Sequence, residues 1–324
     1  MSGSAGRLFG FLLAFAASIA LFSAQALASF PGSDGSIAFS DGVPGGGEAI
    51  FEIDPSSGDR RQLTTPGTAR DYDPAWSADG SLLAFTRDTS APTAAASRIM
   101  ILERASGIVR ELTPPDVEMI QNEPTFSPDG ARIGFVGRPP RTSFLEGVEE
   151  IFTTDLDGGG LAQLTESPGV RVGEPSWSPR GGQIAYSLAA VHPNAEKSFL
   201  PSDVFLLDLG LGTSELVTRR RPNADDDDPS WRPDGRRLLY ERERSKGPDD
   251  IALIRPNGKA SRLLIRSPSG RPYRDPSFSP SARKIALYVI DSQRRGIAIY
   301  DLAKRRLRFL TSSSRSDNDW QPLP

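Results

Sequence analysis

One phrase recurs along this chain at near-regular intervals, and internal repetition constrains a fold more than any local propensity does. "DPAWSADGSLLAF" occupies 73–85 and "EPTFSPDGARIGF" occupies 123–135. "EPSWSPRGGQIAY" (174–186), "DPSWRPDGRRLLY" (228–240) and "DPSFSPSARKIAL" (275–287) follow. Each copy has an acid, a proline, a small residue, an aromatic, a Ser-Pro-Asp-Gly-like turn and an apolar triplet. The aromatics Trp76, Phe126, Trp177, Trp231 and Phe278 stand 50, 51, 54 and 47 residues apart.

A second phrase alternates with the first, as in "AIFEIDPSSGDRRQLT" (49–64) and "DVFLLDLGLGTSELVT" (203–218). It occurs six times, starting at Ala49, Arg98, Glu150, Asp203, Asp250 and Gly296. An apolar run, a turn and another short strand make a tight hairpin. Six hairpins but five complete first phrases leave one copy to find. The C-terminal "DNDWQP" (317–322) supplies its start, with Trp320 in the aromatic position. The N-terminal "PGSDGSIAF" (31–39) supplies its remainder. The spacing falls in the range of propeller blades. The expected fold is all-β: a six-bladed β-propeller of four-stranded blades. One blade is closed by the N- and C-terminal strands together, which leaves no long open edge.

The repeats resemble the WD-repeat-like propeller repeat of the TolB family, over essentially all of residues 30–322. The resemblance implies a six-bladed propeller. It departs in one respect: the α/β domain that precedes the propeller in TolB has no counterpart in residues 29–324. The family's role in an envelope complex with a lipoprotein is therefore not carried over. The related propeller of prolyl-oligopeptidase-like enzymes precedes a hydrolase domain, which also has no counterpart here.

Ahead of the repeats, Arg7 precedes an apolar run over Leu8–Phe22, and Ala26-Leu27-Ala28 follows. A positive residue, a short apolar core and a small-x-small site read as a signal peptide over 1–28. Fifteen apolar residues fall short of the roughly 20 that span a bilayer. The expected mature chain is a single propeller over 29–324, exported to the periplasm, cell envelope or exterior, with no transmembrane segment after cleavage.

Composition narrows the chemistry. There is no cysteine, one histidine (His192) and a formal net charge of −3. No thiolate can attack a substrate or bind metal, and zinc lacks its usual His and Cys ligands. A Ser-His-Asp triad would have to use His192, and no Gly-x-Ser-x-Gly turn is present. The basic run Arg294, Arg295, Lys304, Arg305, Arg306 and Arg308 has no aromatic stacking platform beside it, which argues against nucleic acid.

The acids are more informative. Asp73, Glu123, Glu174, Asp228, Asp275 and Asp317 (or Asp319) open the innermost strands and would ring one mouth of the central channel. They either bond the backbone of the neighbouring blade or form a site for a cation or a basic peptide. Asp225, Asp226 and Asp227 extend this group and could offer oxygen ligands to calcium, the one cofactor that the composition admits. Arg219-Arg220-Arg221 stands just before them, and a self-compensating solvated loop is the plainer account. Long connections emerge on the same face and carry Phe144, Leu145, His192, Phe199 and Leu200, which either pack under their own loops or anchor a partner. The expected function is a monomeric, non-catalytic scaffold that binds a protein or peptide through this face. The alternatives are a calcium-dependent, small-ligand or glycan-binding propeller and an enzyme acting on polysaccharide. Some propellers of this repeat family resemble polysaccharide lyases, but those rely on histidine-bearing channel sites that this chain lacks.

Overall fold

The computed structural model describes residues 30–89, 96–113, 117–139, 149–167, 169–190, 200–221, 224–244, 247–312 and 317–324. The expected signal peptide over 1–28 lies outside them. Twenty-four strands and no helix account for the regular structure of the described residues. The chain enters through β1 (Ser33–Gly42), β2 (Glu48–Ile53) and β3 (Arg60–Gln62). The first complete unit is β4 (Arg70–Trp76), β5 (Leu82–Asp88), β6 (Ser97–Glu103) and β7 (Val109–Glu111). Next come β8 (Ile120–Phe126), β9 (Arg132–Arg138), β10 (Glu150–Asp155) and β11 (Ala162–Gln163). They are followed by β12 (Val170–Trp177), β13 (Gln183–Ala190), β14 (Asp203–Asp208) and β15 (Thr213–Leu216). Then come β16 (Asp226–Trp231), β17 (Leu238–Arg242), β18 (Asp250–Ile254) and β19 (Arg262–Ile265). The last are β20 (Tyr273–Phe278), β21 (Lys284–Ile290), β22 (Arg295–Asp301), β23 (Arg306–Phe309) and β24 (Asn318–Leu323).

Four sheets are four-stranded antiparallel meanders, and one sheet has eight strands, seven along the path β24-β1-β2-β4-β5-β6-β7 and β3 beside β2. In that path the C-terminal β24 pairs antiparallel with the N-terminal β1, Ile37 opposite Trp320 and Phe39 opposite Asn318. The innermost strands touch in sequence: β4 lies against β8, β8 against β12, β12 against β16, β16 against β20, β20 against β24, and β24 against β4. That closed circuit around a central cavity is a propeller arrangement.

The recurrent aromatic holds neighbouring sheets together. Trp76, Phe126, Trp177, Trp231, Phe278 and Trp320 are all buried. Trp76 packs with Leu83, Phe85 and Leu102 of its own sheet and with Ala38 and Ile50 of β1 and β2. Trp320 packs with Ile37 and Phe39 on one side and with Ala286, Tyr288 and Ile299 on the other. Burying such a ring removes a large apolar area from water. The Thr that closes several second phrases fixes the outer strand. Thr64, Thr165 and Thr218 accept from the backbone N–H of Ile50, Ile151 and Val204 at 3.0, 2.9 and 3.0 Å.

The turn after each aromatic is stabilised by its own side chains. Ser127 Oγ donates to Asp129 Oδ1 at 2.6 Å and accepts from Arg132 N at 2.9 Å. Asp129 Oδ1 also accepts from Ala131 N at 3.0 Å. The fourth turn residue takes a left-handed conformation: φ is 67° at Gly80, 68° at Gly130, 85° at Gly181 and 63° at Gly235. The "SPRGG" and "SPSAR" turns look irregular in sequence and lead one to expect local differences. They keep the same closing bond, Gly181 N to Ser178 O at 2.9 Å and Ala282 N to Ser279 O at 2.7 Å. Ala282 carries φ of 56°, which a Cβ resists and the surrounding blade imposes. Replacing Asp129 with Ala should lower unfolding stability by about 1–2 kcal/mol, the low end of the range for hydrogen bonds to a charged group because Asp129 is exposed. A urea melt of the variant checks this; no change would mean that solvent replaces the bonds.

Candidate functional site: an acidic channel mouth

The first residue of each complete phrase sits where its strand is bulged. Pairing slips between Tyr72 and Ala75, Asn122 and Thr125, Gly173 and Ser176, Asp227 and Ser230, and Arg274 and Ser277. At each slip the acid takes a left-handed backbone: φ is 51° at Asp73, 55° at Glu123, 54° at Glu174, 47° at Asp228 and 48° at Asp275. A bulge of this kind redirects a side chain. Here it turns five carboxylates toward the axis, next to the neighbouring inner strand. The split copy has Asn318 in place of the proline, and Asp317 does not share the positive φ.

The carboxylates link inner strand to inner strand. Asp73 Oδ2 accepts from Glu123 N at 3.3 Å, and Glu123 Oε2 from Glu174 N at 2.5 Å. Glu174 Oε2 accepts from Asp228 N at 2.9 Å, and Asp317 Oδ2 from Asp73 N at 3.5 Å. A hydroxyl on the second strand supports the acid: Thr86 Oγ1 donates to Asp73 Oδ2 at 3.0 Å, and Ser187 Oγ to Glu174 Oε2 at 2.5 Å. Thr86 Oγ1 also accepts from Glu123 N at 3.1 Å. These bonds give the ring a structural part in joining the sheets. Asp319 does the same job two positions after Asp317, accepting from Trp76 N at 2.8 Å.

The unit β16–β19 breaks the rule. Glu241 stands where Thr86 and Ser187 stand in theirs, and it is Glu241 Oε1, not Asp228, that accepts from Asp275 N, at 2.5 Å. A carboxylate has replaced a hydroxyl, so Asp227, Asp228 and Glu241 each place an oxygen within 4.8 Å of the others. The sequence-predicted calcium trio is thereby regrouped. Alternation along β16 sends Asp226 away from Asp227, onto Arg221 Nη2 at 2.6 Å. Asp225 Oδ1 accepts from Ser202 N and Oγ at 2.6 and 2.9 Å. Three carboxylates at that spacing could take a hard cation through oxygen.

A cavity of about 570 Å³ opens at this mouth. Its described lining holds twelve carboxylates and a single cation, Arg274. The acids are packed by protein on most sides but still face the cavity. Burial, then the neighbouring Asp317 and Glu123, push the Asp73 carboxyl well above its usual range. Burial and Glu174 raise Glu123 to about 7. Burial raises Asp319 to about 7, and burial followed by neighbouring acids raises Asp227, Asp228 and Glu241. The common cause is burial in a poorly solvated space, to which like charge adds at every one of these groups except Asp319.

Sequence reasoning located Asp73, Glu123, Glu174, Asp228, Asp275 and Asp317, and all six line this cavity. It missed Glu241, Glu243 and Asp249. Aligning the residue after each apolar triplet would have exposed Glu241, since Thr86 and Ser187 occupy that place elsewhere. Phe144, Leu145, His192 and Phe199 lie outside the described residues, and Leu200 is exposed. Three members of the basic run are engaged: Arg294 stacks 3.7 Å from the Phe309 ring, Lys304 pairs with Asp301, and the Arg308 guanidinium donates to Pro55 O.

Residues 142–322 match the family model described as the TolB beta propeller domain. The chain belongs to the TolB β-propeller family. It is 30% identical over 187 residues to a protein TolB homolog of Chlorobium luteolum, covering 55% of this chain and 36% of that relative. The match therefore spans about a third of that relative's length. Its fold resembles that of TolB from Acinetobacter baumannii, with a TM-score of 0.69 and 18% identity over 89% of this chain and 67% of that one. It also resembles hydrazine synthase of Kuenenia stuttgartiensis, with a TM-score of 0.70 and 14% identity over 90% of this chain and 47% of that one. At such identities the likeness is one of fold, and one fold hosts unrelated chemistries. Within this TolB-type propeller, no helix of the described residues is long and apolar enough to cross a membrane.

Proposed function

We propose that this protein is an exported, non-catalytic, six-bladed propeller that binds a partner protein, and that its acidic mouth receives a basic segment of that partner. The blade count rests on the eight-stranded sheet, whose two halves join through a single parallel bridge, Glu48 to Arg70, while every other strand pairing among the described residues is antiparallel. Divided there, it makes two four-stranded blades, one of them closed by both termini.

The observation that carries the binding reading is the charge of the mouth: among the described residues, twelve carboxylates against one arginine in a cavity of about 570 Å³. A cleft of one sign with low-dielectric walls focuses the field and draws in the opposite charge. The same crowding that raises the carboxyls is relieved by an arriving Lys or Arg. With one histidine and no cysteine in the chain, a thiolate nucleophile and a site built on several histidines are both unavailable.

A labelled eight-residue Lys/Arg peptide tests this by fluorescence anisotropy. The Asp228→Asn/Glu241→Gln double variant should bind about tenfold more weakly, the loss of one or two charge-assisted contacts. The variant should fold at least as well as the parent, because it removes repelling charges. Equal affinity in the two proteins would refute the reading. The cluster of Asp227, Asp228 and Glu241 favours a second reading, a calcium site. Calcium that raises the melting temperature of the parent but not of the double variant, without peptide binding, would establish that instead.

A further inference from the structure

The opposite end of the molecule has the reverse polarity. The mouth lies where the inner strands begin; at their far ends the turns of three neighbouring units meet around a groove of about 980 Å³. Its described lining carries seven arginines and one acid, Asp234. Asp234 is already engaged, paired with Arg232 and accepting at its carbonyl from Arg180 Nε at 3.1 Å. Arg236, Arg237, Arg255, Arg262 and Arg305 have no ion pair among the described residues. They come from the inner turn of β16–β17, the outer turn and last strand of β18–β19, and the outer turn of β22–β23. Arg236, Arg255, Arg262 and Arg305 are exposed. Between them the floor is apolar: Leu253 is buried, and Leu264 and Tyr300 are half-buried.

We propose that this groove is a second binding site, for an acidic peptide segment in which carboxylates alternate with apolar side chains. Five unpaired guanidiniums around a recess call for an anionic ligand, and every cation there is an arginine, whose planar fork suits a carboxylate better than the point charge of lysine does. The recessed Leu and Tyr floor decides the rest. A phosphate polymer has no side chains to place there, and a flat bilayer surface cannot reach a floor below the arginine rim. The acidic mouth of a second copy has the right charge but is itself concave, so two hollows would face each other. An extended acidic segment satisfies both charge and shape, because its side chains point alternately to rim and floor.

The test uses a labelled peptide of alternating Glu and Leu, an all-Glu peptide of equal charge and the Arg255→Glu/Arg262→Glu variant. Both arginines are exposed and unpaired, so the variant should melt as the parent does. The alternating peptide should bind the parent, should bind more tightly than the all-Glu peptide, and should weaken at least about tenfold against the variant, a loss on the scale of one charge-assisted contact. Its affinity should be unmoved by Asp228→Asn/Glu241→Gln, which separates this site from the mouth. Affinity within twofold between parent and variant would overturn the proposal. So would polyphosphate or anionic vesicles that bind in an arginine-dependent way while the alternating peptide does not.

Discussion

Deletion of residues 317–324 is expected to leave a chain without a cooperative unfolding transition. The segment holds β24, the only partner of β1 on its inner side among the described residues. With it go the buried Trp320, the bond from Trp76 N to Asp319, and the bond from Gln321 Nε2 to Gly80 O at 3.0 Å. Truncating a buried Trp to alanine alone costs about 3–5 kcal/mol, and a typical domain has about 5–15 kcal/mol in total. The deletion also exposes the edge of β1 and opens the circuit of inner strands. Circular dichroism with heat and urea, on the deletion and on Trp320→Ala, measures this. The point variant should remain folded with a stability lower by about 3–5 kcal/mol. If the deletion melts within a few degrees of the parent, the C-terminal strand does not close the ring.

Stability should fall as pH rises from about 5 to about 7.5, the reverse of the usual behaviour of paired carboxylates. Glu123 and Asp319 have carboxyls raised to about 7, from ordinary values of 4.5 and 3.8. Burial is the first cause for both, and Glu174 adds repulsion at Glu123. The folded chain therefore holds protons that the unfolded chain has released over this interval. Stability is greatest near the unfolded values, declines up to the folded ones and is level above them. One such group changes stability by about 1.4 kcal/mol per pH unit. The two groups still touch the water of the cavity, so the combined loss should be on the order of 3 kcal/mol. Below about pH 4 the profile should turn over. Asp129, held low by the Ser127 hydroxyl, contributes stability that disappears as it protonates. Urea melts at several pH values give the curve, and Glu123→Gln should flatten its descending limb. A parent whose stability rises steadily from pH 5 to 8 would show that water solvates these carboxylates fully.

Glu241 gives a sharper version of the same argument. Thr86 shows that a threonine in this position can both support its own acid and accept the next backbone N–H. Glu241→Thr should therefore raise stability by about 1–3 kcal/mol at pH 8, the range for relieving a buried charge left poorly paired. The gain should shrink as pH falls, because burial and the neighbouring Asp275 and Asp227 hold the Glu241 carboxyl above its usual range, and the variant should weaken basic-peptide binding. A destabilised variant at pH 8 would mean that the bond to Asp275 N outweighs the repulsion.

The repeated phrase made much of the fold readable in advance because each of its signals acts over a few residues. Alternation, the Ser-Pro-Asp-Gly turn and the single buried aromatic are local, so their recurrence marks strands, hairpins and the pairing of the two termini. The ring acids were readable for the same reason, as the first residue of each phrase. Regularity also hid things. Ala282 in a left-handed turn looked like a departure, yet the blade imposes the common geometry on it.

By itself the sequence determined the strand order, the split copy and the presence of an acid at the head of each inner strand. Only the tertiary structure decided that Asp226 turns away from Asp227, that Glu241 joins Asp227 and Asp228, and that arginines from three neighbouring units surround one groove. These are contacts between residues far apart in the chain, or choices of face along one strand. Electrostatic energy depends on distance through space and on how much water remains between the charges, and neither is written in the spacing of residues along the backbone.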